Sequence, residues 1–462
     1  MINVTTAKPT KNFFVNLFTQ DIDLEGAIFD LIDNSIDGAA RTLSLDAQGE
    51  KYAGKWLHLT INEREFSLID NCGGIPEKLI QYAFRFGRDR NRPSEEADTV
   101  GIYGIGMKRS MYRIGTSGRV ISRNSAREFE VNFSEEWTTD DDNWDLSIAT
   151  HQINELKEHG TCFAVANLRS EVRAEFSDPE FIKEIKKSIA QYYSYVIKCG
   201  LVLKFNGEKI KPLELVVHID DSGGNVLKPH VFQLSGPDVE VFGVIGVRPG
   251  RIVGDENASN SRELSGITVV CNDRVVLYCN KDWRTGWGEA PVPHFHNQFI
   301  GISGIVMFTG KADAIPMATD KRQIKLESNI FAASKVSIKK GIKRFTEMTN
   351  MWKGREKELR EKVSALSTIS FEGVKNLASI QNHIKLRRDK NLEKFFRGDA
   401  RESTAKFPEP PKLKNRTIKI SFSVDLDDYE VVADDLFQDQ NSDPEVVGKK
   451  CFENQLIRSQ IK

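Results

Sequence analysis

Apolar residues recur at helical spacing in the segment EGAIFDLIDNSIDGAA, residues 25–40. The periodicity predicts a helix whose packing face consists of Ile28, Leu31, Ile32, Ser35 and Ala39. A different face carries Asp30, Asn34 and Asp37 at positions i, i+4 and i+7. Together with Asp33 they give this helix three carboxylates, which repel one another unless a cation or a proton lies among them. Two interpretations follow, a solvated charged face or a functional site.

The remainder of the first 200 residues alternates predicted strands with helices and turns. Strands are predicted at KWLHLTINE, EFSLID, GRVISRN, REFEVNF and GTCFAVANL. A helix is predicted at EKLIQYAFRF and a long one over residues 178–199. GRDRNRPSEEADT is typical of a polar loop, and GIYGIGMKRSMYRIG of a glycine-rich turn that runs into a helix. We take residues 1–200 as the first domain.

The later parts of the chain differ in pattern and define four further segments. Residues 201–330 are strand-rich, with LVLKFNG, LELVVHI, VEVFGVIGV, GITVVCNDRVVLY and GISGIVMF, and predict a second α/β domain. Residues 331–405 are predicted to form a basic helical arm. The proline-bearing stretch over 406–416 is a predicted linker. Residues 417–462 are predicted to form a small element, a strand at TIKISFSV followed by two helices.

Composition excludes several classes of protein. The chain is 39% hydrophobic and 28% charged, with a formal net charge of -1, as in soluble globular proteins. No apolar run approaches the roughly 20 residues that span a bilayer, and the N-terminal sequence lacks the plan of a signal peptide. The six cysteines are scattered without a CxxC pair, which favours a reducing compartment. We therefore expect a cytoplasmic protein with no membrane contact.

The near-zero net charge conceals a strong asymmetry along the chain. Residues 335–416 hold 22 Lys and Arg against 10 Asp and Glu, a net charge of +12. Residues 417–462 hold 5 against 10, a net charge of -5. Such a basic segment suits phosphate contacts with DNA, although basic helices are often only solvated.

Four separated segments carry residues that suit a nucleotide: the acidic helix, LIDNCGGIP, VGIYGIGMKRSMYRIG and HGTCFAVANL. Glycines let backbone N–H groups approach phosphate oxygens, and Lys108 can supply a point charge. Asp70, at a strand end, can accept from an exocyclic amine, while Thr161 can hold a bridging water. The amide oxygen of Asn34, together with phosphates, suits Mg²⁺. Neither GxxxxGK[ST] nor GxGxxG occurs, so this is neither a P-loop nor a Rossmann site.

In this order the four segments resemble the N, G1, G2 and G3 boxes of the GHKL ATPases, the superfamily of gyrase, the heat-shock chaperone, histidine kinases and MutL. FGRDR followed by VGIYGIGMKRSMYRIG is most similar to the MORC ATPases and their bacterial relatives. The resemblance covers residues 1–200 and, in outline, 200–330. It implies an α+β protein with a Bergerat-type ATP-binding α/β sandwich followed by an S5-like transducer domain.

The resemblance implies ATP and Mg²⁺ as ligands. Asn34 would be the magnesium ligand, Asp70 the adenine reader and Thr161 the support of the adenine water. Gly74 would let the base approach, and residues 87–103 would form a lid that orders over bound ATP. The implied nucleotide-binding set is Asn34, Asp70, Gly74, Ile75, Gly101, Tyr103, Gly104, Ile105, Gly106, Met107, Lys108 and Thr161. Among these, Gly104, Gly106 and Lys108 would hold the phosphates.

Two residues depart from the family pattern. Cys72 stands where the family motif DNGxG has its first glycine, which predicts a stiffer or reshaped turn. The family's general-base Glu falls on Asp30, whose side chain is one methylene shorter. A misplacement of about 1 Å can cost about a hundredfold in rate, and a general base contributes about 10²–10⁴-fold. We expect Asp30 to act as the base and turnover to be slow.

The second domain is expected to supply one further catalytic residue. In this superfamily a Lys or Gln from the S5-like domain reaches the γ-phosphate, and the polar loop AIPMATDKRQIKLES has the matching placement. Lys321 is the candidate, with Arg322 and Lys325 as competitors and an ordinary basic surface loop as the other interpretation. Such a loop would couple phosphate state to the angle between domains.

The use of ATP does not identify the macromolecule on which the protein acts. MORC and MutL-type members dimerise through the ATP-bound N-terminal region and clamp DNA, and segment 335–416 would supply phosphate contacts. The alternative is an ATP-gated protein-binding scaffold or chaperone-like protein. A histidine kinase is disfavoured because the phospho-acceptor segment is missing. The strand and two helices of 417–462 are similar to ribbon–helix–helix dimers, and their acidity favours dimerisation over reading bases.

Overall fold

The computed structural model divides the chain between Pro410 and Pro411 into the units Met1–Pro410 and Pro411–Lys462. This division falls inside segment 406–416, where the sequence predicts a linker. The residues that the structure describes are 10–20, 22–43, 50–85, 106–150, 155–212, 216–219, 227–248, 262–318, 321–364, 366–370, 386–390, 392–394, 396, 398–403, 405–411 and 418–460.

The first sheet of unit Met1–Pro410 has eight strands. They are β1 (Trp56–Ile61), β2 (Phe66–Asp70), β3 (Gly115–Arg123), β4 (Glu128–Phe133), β5 (Ile148–Ala149), β6 (Gly160–Leu168), β7 (Val202–Phe205) and β8 (Glu208–Lys209). Their spatial order is β5-β4-β3-β6-β2-β1-β7-β8. Neighbouring strands pair antiparallel, except β1 and β7, which are parallel.

Eight helices among the described residues accompany this sheet. They are α1 (Lys11–Gln20), α2 (Leu24–Thr42), α3 (Ile80–Phe84), α4 (Gly106–Ile114), α5 (Glu135–Thr139), α6 (Ser170–Ser177), α7 (Pro179–Tyr192) and α8 (Ser194–Lys198). The Asp23 side chain caps α2 by accepting from the Gly26 N–H at 2.6 Å. No helix in the described part of the chain is long and apolar enough to cross a membrane.

Helix α2 confirms the helix predicted from residues 25–40. Its apolar face, including Ile28 and Leu31, is buried in one core with Leu57 of β1 and Leu68 of β2. Burial of each such side chain contributes about 1.5–3 kcal/mol. The helix predicted over 178–199 differs, because the backbone turns at Tyr193 (φ -109°, ψ 9°) between α7 and α8.

The second sheet has seven strands. They are β10 (His230–Ser235), β11 (Val239–Val247), β12 (Gly266–Cys271), β13 (Arg274–Asn280), β14 (Ile302–Gly310), β16 (Arg387–Arg388) and β17 (Asp399–Glu402), in the order β13-β12-β14-β11-β10-β17-β16. A separate pair joins β9 (Val216–Ile219) to β15 (Ser367–Ser370). The helices α9 (Asn329–Met351) and α10 (Glu356–Ser364) follow β14. Apolar residues of α9 such as Ile338 and Ile342 share a core with Ile245 of β11.

The domain boundary predicted after residue 200 falls between two strands of the same sheet. Strand β7 begins at Val202 and pairs with β1, so LVLKFNG belongs to the first sheet and not to the second domain. A parallel partner for β1 is recognisable only when the sheet has formed, because the pairing joins residues far apart in sequence.

Segment 331–405 is not helical throughout, contrary to the prediction of a basic helical arm. After α9 and α10 the chain forms strands, and β17 pairs antiparallel with β10. Several basic side chains also have acidic partners within the unit: Lys340 Nζ lies 2.7 Å from Asp389 Oδ2, and Lys335 Nζ lies 2.7 Å from Glu289 Oε1. The segment is therefore integrated into the second sheet, and part of its positive charge is neutralised there.

Unit Pro411–Lys462 contains the two predicted helices, α11 (Leu426–Phe437) and α12 (Pro444–Gln460), which contact each other. The Asp425 side chain caps α11, and the Tyr429 hydroxyl donates to the Ser442 carbonyl. The strand predicted at 417–424 is absent from its described part, residues 418–424. A strand needs a hydrogen-bonded neighbour, and the described residues of this unit offer none.

Candidate functional site

Three carboxylates of α2 are buried. The exposed fraction is 6% for Asp30, 2% for Asp33 and 5% for Asp37. Burying an unpaired carboxylate costs several kcal/mol, so each must be compensated by cations or hydrogen bonds. The solvated-face interpretation of this helix is therefore wrong.

Asp30 has cationic neighbours from two separate elements. Arg109 of α4 donates through Nη2 to Asp30 Oδ2 at 2.6 Å. Lys321, from the loop after β14, places Nζ 3.8 Å from Asp30 Oδ1. The carboxylate that the resemblance assigns as general base is thus engaged by a guanidinium in this structure.

Asp33 joins α2 to the second sheet. Arg274, the first residue of β13, donates through Nη1 to Asp33 Oδ1 and to the Tyr193 hydroxyl. Tyr193 Oη lies 3.0 Å from the same Asp33 oxygen. Burial alone would lower the pKa of Arg274, but Asp33 and Tyr193 raise it above its ordinary value. Arg274 is therefore held as a cation in a closed network.

The loop that carries Lys321 is attached to α2 at two points. Lys321 Nζ lies 3.1 Å from Asp33 Oδ2, and Arg322 donates to Glu25 at 2.9 Å and to Asp23 at 2.8 Å. Burial would lower the pKa of Lys321, but the surrounding carboxylates outweigh it and raise that pKa. Lys321 also adopts a left-handed backbone conformation, with φ 56°. The loop thus places the charged ammonium of Lys321 beside the acidic helix. Arg322, the competing candidate for the phosphate contact, pairs with the start of α2.

Asp70 lies at the end of β2, buried beneath the same helix. Ser35 Oγ donates to Asp70 Oδ2 at 2.7 Å, and the N–H groups of Cys72 and Thr161 donate to Oδ1 at 2.8 and 3.2 Å. Burial raises the pKa of this carboxyl, and the three hydrogen bonds act in the opposite direction. The Thr161 hydroxyl lies 3.5 Å from Ser122 Oγ, which places it in the same buried polar group.

Close backbone packing explains two glycines at this point. Gly74 has φ 71°, and a Cβ there would lie 2.2 Å from the Arg123 carbonyl oxygen. A Cβ on Gly160 would lie 1.9 Å from the Asp70 carbonyl oxygen. The adjacent Ile75 N–H donates to Ser122 Oγ at 2.8 Å. These close backbone contacts fix the conformation of the turn that follows β2, although Cys72 replaces the first glycine of the family motif there.

The glycine-rich segment is described from Gly106 onward, where α4 begins. A Cβ on Gly106 would lie 3.2 Å from Asp30 Oδ2, and Met107 is buried in the first core. Lys108 is buried, and its Nζ donates to the carbonyls of Ala83 and Arg85 at 2.8 and 2.5 Å. It satisfies carbonyls at the end of α3, so a phosphate contact requires these bonds to break. Gly101, Tyr103, Gly104, Ile105 and the predicted lid over 87–103 lie outside the described residues.

The structure adds residues that sequence reasoning missed. The helical period places Ser35 on the packing face of α2, and in the structure its hydroxyl donates to Asp70. Arg109 directly follows the predicted phosphate ligand Lys108, and this neighbouring position is the sequence feature that could have marked it as a site residue. Tyr193 and Arg274 carry no local motif, and Arg274 lies 241 residues from its partner Asp33. Only the fold brings that pair together.

The residue types at this site fit a Mg²⁺–nucleotide. Asn34 is half-buried on α2, one turn from Asp30, so the helix presents an amide and a carboxylate oxygen from one stretch of backbone. Mg²⁺ prefers such oxygen ligands and keeps several waters. Asp70 offers a buried, oriented acceptor, of the kind that distinguishes an amine from other groups.

One comparison with known proteins gives a match over part of the chain. Residues 22–161 match the family described as histidine kinase-, DNA gyrase B- and HSP90-like ATPase. No curated protein gives a significant match to the chain. The matched range begins just before α2 and ends at Thr161, so it includes Asp30, Asp70 and the start of α4. The match supports a GHKL-type ATPase domain that binds ATP, and it does not extend to the second sheet or the C-terminal unit.

Proposed function

We propose that this protein is an ATP-dependent conformational switch, similar to MORC and MutL. It binds ATP with Mg²⁺, hydrolyses it slowly, dimerises through its ATP-bound N-terminal domain and acts on DNA. The observation that carries this proposal is the ion-pair network between α2 and the second sheet. Lys321 and Arg274 come from that sheet and its following loop, yet both contact the helix that bears Asn34 and Asp30.

The network gives the switch a physical basis. Lys321 Nζ lies near two carboxylates, 3.1 Å from Asp33 Oδ2 and 3.8 Å from Asp30 Oδ1. A γ-phosphate adds negative charge near these groups and competes with the carboxylates for the ammonium. Movement of Lys321 from Asp33 toward the phosphate would shift the loop that Arg322 ties to Asp23 and Glu25. A change in phosphate state would thereby reach the second sheet.

Recognition and catalysis fall to different residues. Asp70 accepts from the adenine amine, and Thr161 holds the accompanying water. Asn34 holds Mg²⁺, which neutralises phosphate charge when bound. Asp30 takes the proton of the attacking water through Oδ1, because Oδ2 accepts from Arg109. The short Asp side chain, with one of its two oxygens held by Arg109, is the reason that we expect slow turnover.

A second function is favoured by a specific observation. Part of the positive charge of segment 335–416 is paired with an acidic residue outside that segment, because Lys335 and Lys339 lie 2.7 and 3.4 Å from the Glu289 carboxylate. Fewer cations then remain to displace counterions from DNA. An ATP-gated scaffold that binds a protein client, with little or no hydrolysis, is therefore the alternative.

The two functions are separated by measuring ATP binding and hydrolysis with Mg²⁺, with and without double-stranded DNA, alongside Asp70→Asn. For the DNA-acting switch we expect slow hydrolysis that DNA raises and that Asp70→Asn removes. ATP binding that depends on Asp70, without hydrolysis in either condition, would select the scaffold. Unchanged ATP affinity in Asp70→Asn would contradict both.

A further inference from the structure

A cavity of about 330 Å³ lies between α7, the end of β13 and the loop after β14. We call it the α7–β13 cavity, and its lining includes Lys187, Tyr192, Glu263, Lys281, Arg284 and Arg322. Its volume is within the range of small-molecule sites, about 300–1,000 Å³. None of the described residues assigned to the nucleotide lines it, so it is separate from the nucleotide site.

The lining of the α7–β13 cavity is strongly basic. Four cations face one carboxylate, Glu263, among its described residues, so the lining has a net charge of +3. Like charges gathered around one space repel one another, and an anion bound among them would relieve that repulsion. A dianion would do so more fully than a monoanion.

Lys281 is the cation of this lining that lacks a carboxylate partner. Its Nζ donates to the Cys279 carbonyl at 2.8 Å, and it forms no ion pair within the described part of the chain. Burial lowers the pKa of Lys281, and the positive charge of Arg262 acts in the same direction. Glu263 acts against them, but its ion pair is with Lys187, at 3.3 Å. The surroundings of Lys281 therefore favour an added anion.

The two arginines have acidic partners that an anion could replace. Arg284 lies 2.7 Å from Asp282. Arg322 pairs with Asp23 and Glu25 at the start of α2. All three carboxylates are partly exposed, so these ion pairs contribute little to stability. A dianion in the cavity can therefore compete for both guanidinium groups, whose planar donors match pairs of phosphate oxygens.

The charge and size of the cavity suit a phosphate group. A phosphate ester carries about 1.5 to 2 negative charges at pH 7 and three acceptor oxygens, whereas a carboxylate carries one charge. The volume equals that of about ten water molecules at about 30 Å³ each, so a phosphate with a small organic group fits. The Lys187 side chain is 45% exposed and that of Arg322 is 23% exposed, which leaves access from the Lys187 side.

Arg322 connects this cavity with the acidic helix. It directly follows Lys321, whose Nζ lies 3.1 Å from Asp33 Oδ2. It also holds their common loop to the start of α2 through Asp23 and Glu25. An anion that draws Arg322 into the cavity would loosen this attachment and withdraw Lys321 from α2.

We propose that the α7–β13 cavity binds a phosphate group, supplied by inorganic phosphate or by a small phosphate ester, through Lys281, Arg284 and Arg322. Binding there draws Arg322 away from α2 and thereby lowers the affinity for ATP. This second part rests on the proposed function, whereas the binding itself does not.

Calorimetric titration of the full chain without nucleotide tests the site, with inorganic phosphate and glycerol phosphate as probes at constant ionic strength. We expect binding that Lys281→Met weakens by about tenfold or more, because this variant removes a charge-assisted contact. Lys183→Met is the matched control: it lies one turn earlier on α7, outside the lining, and should bind as wild type does.

The two probes distinguish the sources of the phosphate group. Binding of inorganic phosphate alone would identify the free ion as the ligand, and binding of glycerol phosphate would admit an ester. Binding of neither probe, or equal affinity in Lys281→Met and wild type, would overturn the proposal.

The effect on ATP is measured separately, as ATP affinity with and without saturating phosphate. We expect phosphate to raise the dissociation constant for ATP about fivefold in wild type and Lys183→Met, and not in Lys281→Met. No change in wild type, or an equal change in Lys281→Met, would overturn the coupling, the latter by indicating direct competition at the nucleotide site. Absence of ATP binding in wild type would contradict the proposed function, and the phosphate titration would still decide the cavity.

Discussion

Helices α2 and α11 are both rich in Asp, but they differ in almost every structural respect. Three carboxylates of α2 are buried, and two of them, Asp30 and Asp33, meet cations from α4, β13 and the loop after β14. On α11, Asp427, Asp428, Asp434 and Asp435 are exposed. The amount of charge on a helix therefore does not distinguish a site from a hydrated surface; the presence of converging partners does.

The comparison also separates two contributions to stability. A buried pair keeps two charges that would each be costly alone, so loss of one partner is severe. An exposed carboxylate is hydrated in folded and unfolded states alike, so its loss changes little. The predictions below run from the largest expected change in the free energy of unfolding to the smallest.

Arg274→Met should have the largest effect. It removes the guanidinium from buried Asp33 and leaves that carboxylate with the Lys321 ammonium at 3.1 Å and the Tyr193 hydroxyl at 3.0 Å. We therefore expect the free energy of unfolding to fall by about 3 kcal/mol, the lower end of the loss for a broken buried pair. Denaturant unfolding measures this change. The combined variant Asp33→Asn with Arg274→Met should recover much of it, since no uncompensated charge is left. Equal losses in the single and combined variants would show that packing, not charge, is responsible.

Lys321→Met should cost less, about 1–3 kcal/mol, because Arg109 and Arg274 still face Asp30 and Asp33. Its distinctive consequence is the loss of ATP-induced protection of the second sheet, measured by hydrogen exchange. Lys325→Met, in the same loop, is the matched control and should keep that protection. A wild-type response in Lys321→Met would remove this residue from the switch.

Asp70→Asn should leave stability at pH 7 unchanged or raise it by up to about 1 kcal/mol. Burial raises the folded-state pKa of Asp70 above its unfolded value of about 3.9. Such a carboxyl favours folding below that unfolded pKa and loses this contribution as pH rises through its folded pKa. The stability gap between variant and wild type should therefore narrow as pH falls toward 3.9, which thermal unfolding across pH can measure.

The combined substitution Asp434→Asn and Asp435→Asn on α11 should have the smallest effect. Both side chains are exposed, so we expect a change within about 0.5 kcal/mol in unfolding and none in ATP affinity. A loss comparable to that of Arg274→Met would mean that these carboxylates also meet buried partners, and the contrast between the helices would be wrong.

Local patterns predicted the parts of the site that are continuous in sequence. The 3.6-residue period gave α2, the strand EFSLID placed Asp70 at the end of β2, and the glycine-rich turn led into α4. These features depend on residues within one or two turns of each other, so the chain displays them directly.

Long-range pairing was beyond sequence reasoning. Arg274 lies in no motif that indicates contact with Asp33. Strand β17 joins the second sheet beside β10, although it comes from a segment that the sequence predicts to be a helical arm. The strand predicted at 417–424 failed for a related reason: its alternation is real, but a strand forms only beside a partner. Side-chain periodicity shows which face is apolar and leaves open what covers it.

The central claim, a nucleotide site built on α2, is tested most directly by ATP binding and single-turnover hydrolysis in wild type, Asp30→Asn and Asp70→Asn. We predict that Asp70→Asn loses ATP binding, while Asp30→Asn binds ATP and hydrolyses it about 10²–10⁴-fold more slowly than wild type. ATP binding by Asp70→Asn with wild-type affinity would contradict the account.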